Sequence, residues 1–80
     1  MINQVVLTGE YGLVFYWSGE YWLELKSDEV TFKIKVWKGI ADVLADKPSG
    51  TLIGVKGKLF FDDEPGLKIQ GEKVTIMSIA

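Results

Sequence analysis

The 80-residue chain contains no cysteine, no histidine and no arginine. The first two absences remove disulfides, thiol nucleophiles, imidazole bases and the usual zinc ligands. A chain so equipped is poorly suited to general acid–base or nucleophilic work, so neither an enzyme, a metal nor a cofactor is expected. Without arginine there is no bidentate fork for guanine or phosphate, and lysine remains as a point charge. No apolar run approaches the ~20 residues that span a bilayer, and the start of the chain lacks a basic region followed by an apolar one. The expectation is a soluble, cytoplasmic protein with no membrane partner, compatible with a reducing compartment.

What is present fits one domain, residues 1–80, with 48% hydrophobic content. So short a chain buries a limited share of its surface, which favours a closed barrel or an oligomer. The net charge of −2 speaks against a strongly basic nucleic-acid binder. Its distribution speaks otherwise. Acids gather at turns and on a helix (Asp28-Glu29, Asp42, Asp46, Asp62-Asp63-Glu64), whereas Lys26, Lys33, Lys35, Lys56, Lys58, Lys68 and Lys73 lie in strand-like segments. One face can therefore be locally positive. The consecutive acids at 62–64 do not have EF-hand spacing, and "GVKGK" lacks the spacing and hydroxyl of a phosphate loop.

Periodicity supplies the elements. Residues 2–8 form a strand ending at Gly9, and an apolar, aromatic run at 13–17 leads into a Ser18-Gly19 turn. In 20–26, Tyr21, Leu23 and Leu25 alternate with Trp22, Glu24 and Lys26; in 31–38, Phe32, Ile34 and Val36 alternate with Lys33, Lys35 and Trp37. Successive strand side chains point to opposite faces, so two tryptophans share an outer face with lysines. A four-residue loop at 27–30 sets Glu24 opposite Lys33 and Trp22 opposite Lys35, with Trp37 on the diagonal. A two-residue loop at 27–28 keeps the same parity but lacks the Gly or Asn that tight hairpins favour.

Ile40, Val43 and Leu44 mark a short amphipathic helix over 39–46, stopped by "KPSG". Residues 51–61 form a strand with Ile53, Val55 and Leu59 inward and Lys56, Lys58 and Phe60 outward, Gly54 and Gly57 marking a bend or a close crossing. An acidic hairpin loop precedes a last strand at 67–79, interrupted at Gly71-Glu72. Strand, strand, strand, helix, strand, strand predicts an all-β fold: a five-stranded OB-fold Greek-key barrel with one short helix between strands 3 and 4. In that fold the face of strands 2 and 3, with the 1-2 and 4-5 loops, binds oligonucleotides or oligosaccharides.

Three segments sharpen this. "MINQVVLTG" (1–9), "VWKGIADVLAD" (36–46) and "SGTLIGVKGKL" (49–59) resemble, in order, segments of the bacterial single-stranded-DNA-binding protein family, across roughly the first three quarters of the chain. The resemblance implies single-stranded DNA as partner, a base stacked on Trp37 and a phosphate beside Lys38. It also implies self-association as a dimer or tetramer through the first strand, at Asn3, Gln4, Val5 and Val6. The family's long 2-3 loop is reduced here, and its disordered linker and acidic tip do not follow Ala80, so no tail for recruiting replication proteins is expected. What remains is similar to a stripped-down core of the family or to the primosomal replication protein B type, and suits a phage or mobile element.

The residues thus point to sequence-tolerant binding of single-stranded DNA in replication or recombination. Trp37, Trp22 and Phe60 are candidate stacking platforms, and Lys33, Lys35, Lys38, Lys56 and Lys58 candidate phosphate contacts. RNA stays open as a ligand, because stacking does not discriminate sugars. Blander readings stand beside these: Trp37 capping the barrel or packing in a dimer, and Trp22 with Lys35 as a plain cross-strand pair. The alternative function is an assembly module of a replication complex that binds protein rather than DNA. Within "EYGLVFYWSGEYW", part is expected to be core and part, Tyr16 or Trp17, to extend the stacking surface.

Overall fold

The computed structural model describes residues 3–63 and 65–80. Its elements are β1 (Val5–Trp17), β2 (Glu20–Ser27), β3 (Val30–Val36), α1 (Lys38–Leu44), β4 (Leu52–Phe60) and β5 (Lys68–Ser78). The strands close into a barrel in the order β1-β2-β3-β5-β4. Every pairing is antiparallel except β3 with β5, where Ile34 lies beside Ile69 and Lys35 beside Gln70. The β3–β5 contact that closes the barrel is short, two residue pairs against seven in β2–β3.

Alternation fills the interior. Tyr11, Leu23, Leu25, Ile34, Val36, Ile53 and Val55 point inward from the strands and Leu44 from the helix, all buried. Each large aliphatic side chain so buried contributes about 1.5–3 kcal/mol. The β2–β3 register places Glu24 opposite Lys33 and Trp22 opposite Lys35, as the 27–30 loop predicts. The ladder continues to Ser27 opposite Val30, so only Asp28 and Glu29 turn, with Asp28 at φ 55. Aspartate tolerates that left-handed region, which is how the turn dispenses with glycine.

Three expectations are corrected. The first strand does not stop at Gly9: β1 is one strand of 13 residues, irregular between Tyr11 and Val14. Residue 2 of the expected strand lies outside the described residues. A Cβ at Gly9 would overlap the Lys26 carbonyl, so the glycine admits a crossing strand rather than ending its own. The same holds at Gly57, against the Gln70 carbonyl, and here the close crossing is as expected. Nor is β5 interrupted at Gly71-Glu72: Gly71 is buried against Ile34 and Val36, and the β4 ladder absorbs Glu72 as a register shift.

The helix is shorter than 39–46 and rotated. It opens behind Trp37, whose carbonyl accepts from the Ile40 and Ala41 amides at 3.0 and 3.1 Å. Ala41 and Leu44 are its buried residues, while Val43, expected to face the core, is 56% exposed. The helix packs on β1 and β2, and the small Ala41 side chain permits that approach where valine would hold the helix off.

Asn3 extends the sheet by other means. Its side-chain amide donates to the Leu59 carbonyl at 3.0 Å and accepts from the Leu59 amide at 2.9 Å, continuing the β1–β4 ladder two residues before Val5.

Candidate nucleic-acid interface

Two hairpins build the outer face of β1, β2 and β3. Ser18 (φ 53) and Gly19 (φ 80) both take positive φ, the requirement of a two-residue type I′ turn, and close Trp17 against Glu20. The register that follows pairs Phe15 with Trp22, and Trp22 in turn faces Lys35. One row across the sheet thus reads Phe15, Trp22, Lys35. The neighbouring row reads Trp17, Glu20 and, one residue past the end of the β2–β3 ladder, Trp37.

Beside these rows runs a groove of about 630 Å³. Phe15, Trp17 and Trp22 form one wall; Phe32, Leu67 and Ile69 line the side toward the β4–β5 hairpin. Lys33 and Lys68 bring positive charge to it. The Trp22 indole N–H donates to the Trp17 carbonyl at 3.3 Å, which limits how the ring can rotate. Trp17 is 57% exposed, so its ring is open to a ligand.

The expected site residues separate into groups. Trp22 and Lys33 lie in the groove. Lys35 and Phe60 meet beside it, the ammonium 5.4 Å from the ring centroid. Trp37 is 58% exposed at the head of α1 and is not part of the groove wall. Lys38 spends its ammonium on Asp42 at 2.9 Å, and that hydrogen bond raises its pKa. Lys56 and Lys58 stand outside the groove, on the outer side of β4: Lys56 between Val6 and Lys73, Lys58 3.9 Å from Glu72. On the first strand, Val6 is 70% exposed while the Asn3 amide is engaged by Leu59.

Of the two aromatics expected to extend the stacking surface, Trp17 lines the groove and Tyr16 does not. Sequence reasoning did not assign Phe15, Leu67 or Lys68 to the site. Phe15 was within reach: a two-residue Ser18-Gly19 turn puts 15 beside 22 by counting. Leu67 and Lys68 arrive through the parallel β3–β5 contact, which no local pattern announces. The aromatic cluster divides, with Tyr11 in the core, Phe15 and Tyr21 half-buried, and Tyr16 and Trp17 exposed. Burial pushes the Tyr11 phenol above its ordinary pKa.

Two of the three lysines in and beside the groove have a carboxylate partner. Lys35 lies 3.3 Å from Glu20, and Lys68 lies 2.6 Å from Asp62. Lys33 faces Glu24 in register but makes no ion pair within 4.0 Å among the described residues. Among those residues no three carboxylates converge as a metal site would require, and no helix is long and apolar enough to cross a membrane.

Solved structures with the same architecture are numerous in kind but distant in sequence. Yeast mitochondrial Rim1, a single-stranded DNA binding protein from S. cerevisiae, superposes with TM-score 0.75 at 12% identity, covering 98% of this chain and 96% of its own. The fold is the OB-fold. A second OB-fold match, at TM-score 0.78 and 14% identity, is asparaginyl-tRNA synthetase from Pyrococcus horikoshii, covering 98% of this chain and 20% of that one. The chain therefore spans about a fifth of that enzyme. The OBody NL8, bound to hen egg-white lysozyme, matches at TM-score 0.75 and 13% identity over 98% of this chain and 97% of its own. No protein-family model matches the chain, and no curated protein sequence does.

Proposed function

We propose that this OB-fold domain is a binding module, not an enzyme, that holds single-stranded DNA without sequence readout, in replication or recombination. The observation that carries the reading is the groove itself, a wall of Phe15, Trp17 and Trp22 facing Lys33. Stacking contributes about 1–3 kcal/mol per base, and every base has a flat face to offer. Likeness to Rim1, a single-stranded DNA binding protein, supports it at the level of the fold. Trp37, one step beyond the Trp17–Glu20 row, extends the stacking surface, with Phe60 at its far side beside Lys35. Lys38, Lys56 and Lys58 serve strand leaving the groove. Self-association through the first strand is supported by exposed Val6.

A second reading, a protein-binding assembly module, draws on the carboxylates that partner Lys35 and Lys68 and on the likeness to an OBody bound to lysozyme. Tryptophan fluorescence separates the two. Titration with oligo(dT) quenches emission, reversibly with salt, if the groove stacks bases; unchanged emission from the folded protein refutes the first reading and favours the second. Duplex DNA and RNA of the same length complete the comparison.

A further inference from the structure

We infer that Glu20 governs how strongly the groove engages phosphates, by competing with them for the Lys35 ammonium. The inference rests on the nucleic-acid reading above. Lys35 sits centrally on the outer face, facing Trp22 across the β2–β3 ladder, with its side chain only 25% exposed. Its ammonium already has two partners, the Glu20 carboxylate at 3.3 Å and the Phe60 ring at 5.4 Å. A phosphate reaching Lys35 must share or displace the Glu20 contact, and in either case its charge lies near a carboxylate that flanks the turn of the β1–β2 hairpin. Like charges at such range repel, the more so at low salt because the Glu20 side chain is 45% exposed and its field is screened by solvent and ions.

Lys33 offers the contrast. It is one row along the same strand, and no carboxylate of the described residues lies within ion-pair distance of it. Lys33 therefore supplies a phosphate contact in the resting protein, and Lys35 is a reserve that Glu20 withholds. The consequence is a surface that selects ligands by their bases. A ligand able to stack on Trp22 and Trp17 is held, and a polyanion lacking exposed bases meets along the groove Lys33 and lysines already partnered by carboxylates.

The test is oligo(dT) titration at several salt concentrations, followed by tryptophan fluorescence, for the parent, Lys33→Ala, Lys35→Ala, Glu20→Gln and the Glu20→Gln/Lys35→Ala pair. Each phosphate contact contributes about 0.7 to the slope of log K against log salt for single strands. In the parent, Lys33→Ala should flatten the slope by about 0.7, and Lys35→Ala should change it by much less. Glu20→Gln should bind roughly two- to fivefold tighter and steepen the slope by about 0.7, and both effects should vanish in the Lys35→Ala background. Unchanged affinity and slope in a folded Glu20→Gln variant, or equal gains with and without Lys35, overturns this inference alone. A folded parent that binds no oligo(dT) overturns the nucleic-acid reading and this inference with it.

Discussion

Replacing Trp22 by alanine separates stacking from charge. Trp22 stands between Phe15 and Lys35 in one row of the sheet, and its indole N–H donates to the Trp17 carbonyl at 3.3 Å. If a base stacks on this ring, its loss removes about 1–3 kcal/mol, a factor of roughly 5 to 160 in affinity for oligo(dT). No lysine is touched, so the slope of log K against log salt should stay as in the parent. Stability falls as well, because two cross-strand pairs, at about 0.2–1 kcal/mol each, and one long hydrogen bond go together. The total is about 1–3.5 kcal/mol, which at about 4–8 °C per kcal/mol for a domain this size lowers the melting temperature by roughly 4–28 °C, so the titration is run in the cold on protein shown to be folded by circular dichroism. Trp22→Phe keeps a flat ring without the indole N–H and should recover most of the binding. Affinity that survives in Trp22→Ala, or an affinity loss accompanied by a flatter salt slope, refutes the stacking role.

Three further outcomes follow from particular contacts. Asn3→Ala deletes both hydrogen bonds to the Leu59 backbone and should cost about 1–2 kcal/mol in urea unfolding with the m-value unchanged; a loss under ~0.3 kcal/mol contradicts the ladder role. Lys56 and Lys73 are directly opposed like charges, so Lys73→Glu should stabilise by about 0.2–1 kcal/mol at low salt, with the gain fading at high salt; an equal or lower stability at low salt refutes it. The chain has no histidine or cysteine, and the shifts that its ion pairs cause lead away from neutrality. The Lys47 hydrogen bond lowers the Asp46 pKa, so that contribution is present above the unfolded carboxylate value and lost as pH falls through the folded one. The Asp42 hydrogen bond raises the Lys38 pKa, so its contribution is present below the unfolded lysine value and lost as pH rises through the folded one. Stability measured by urea unfolding should therefore be flat from about pH 6 to 9 apart from titration of the α-amino group, and a mid-range step would contradict this.

The β2–β3 hairpin was legible residue by residue, because alternation from Tyr21 to Lys26 and from Phe32 to Val36 determines both faces, and parity leaves few registers. The OB-fold order followed from counting strands around one helix. Glycines were harder. Gly9 and Gly71 read as breaks, since a glycine that stops a strand and one that lets another cross look alike locally; the deciding neighbours, the Lys26 carbonyl and Ile34, are distant in sequence. The helix face was misjudged for a related reason: Val43 is the more apolar choice, but the close approach of α1 to the sheet favours the smaller Ala41. In the groove, Trp22 and Lys33 were legible from alternation alone, whereas Leu67 and Lys68 depend on β5 closing the barrel against β3.

The central claim concerns which surface meets an unpaired strand, and the three indole N–H signals of Trp17, Trp22 and Trp37 in a nitrogen-15 correlation spectrum report on it directly. On addition of oligo(dT), the Trp22 and Trp17 signals should shift together and saturate at one stoichiometry, along with the backbone amides of Phe15, Lys33 and Leu67. Shifts confined to the outer side of β4 and β5, around Lys56, Lys73 and Met77, with the Trp17 and Trp22 indoles unmoved, would contradict the account.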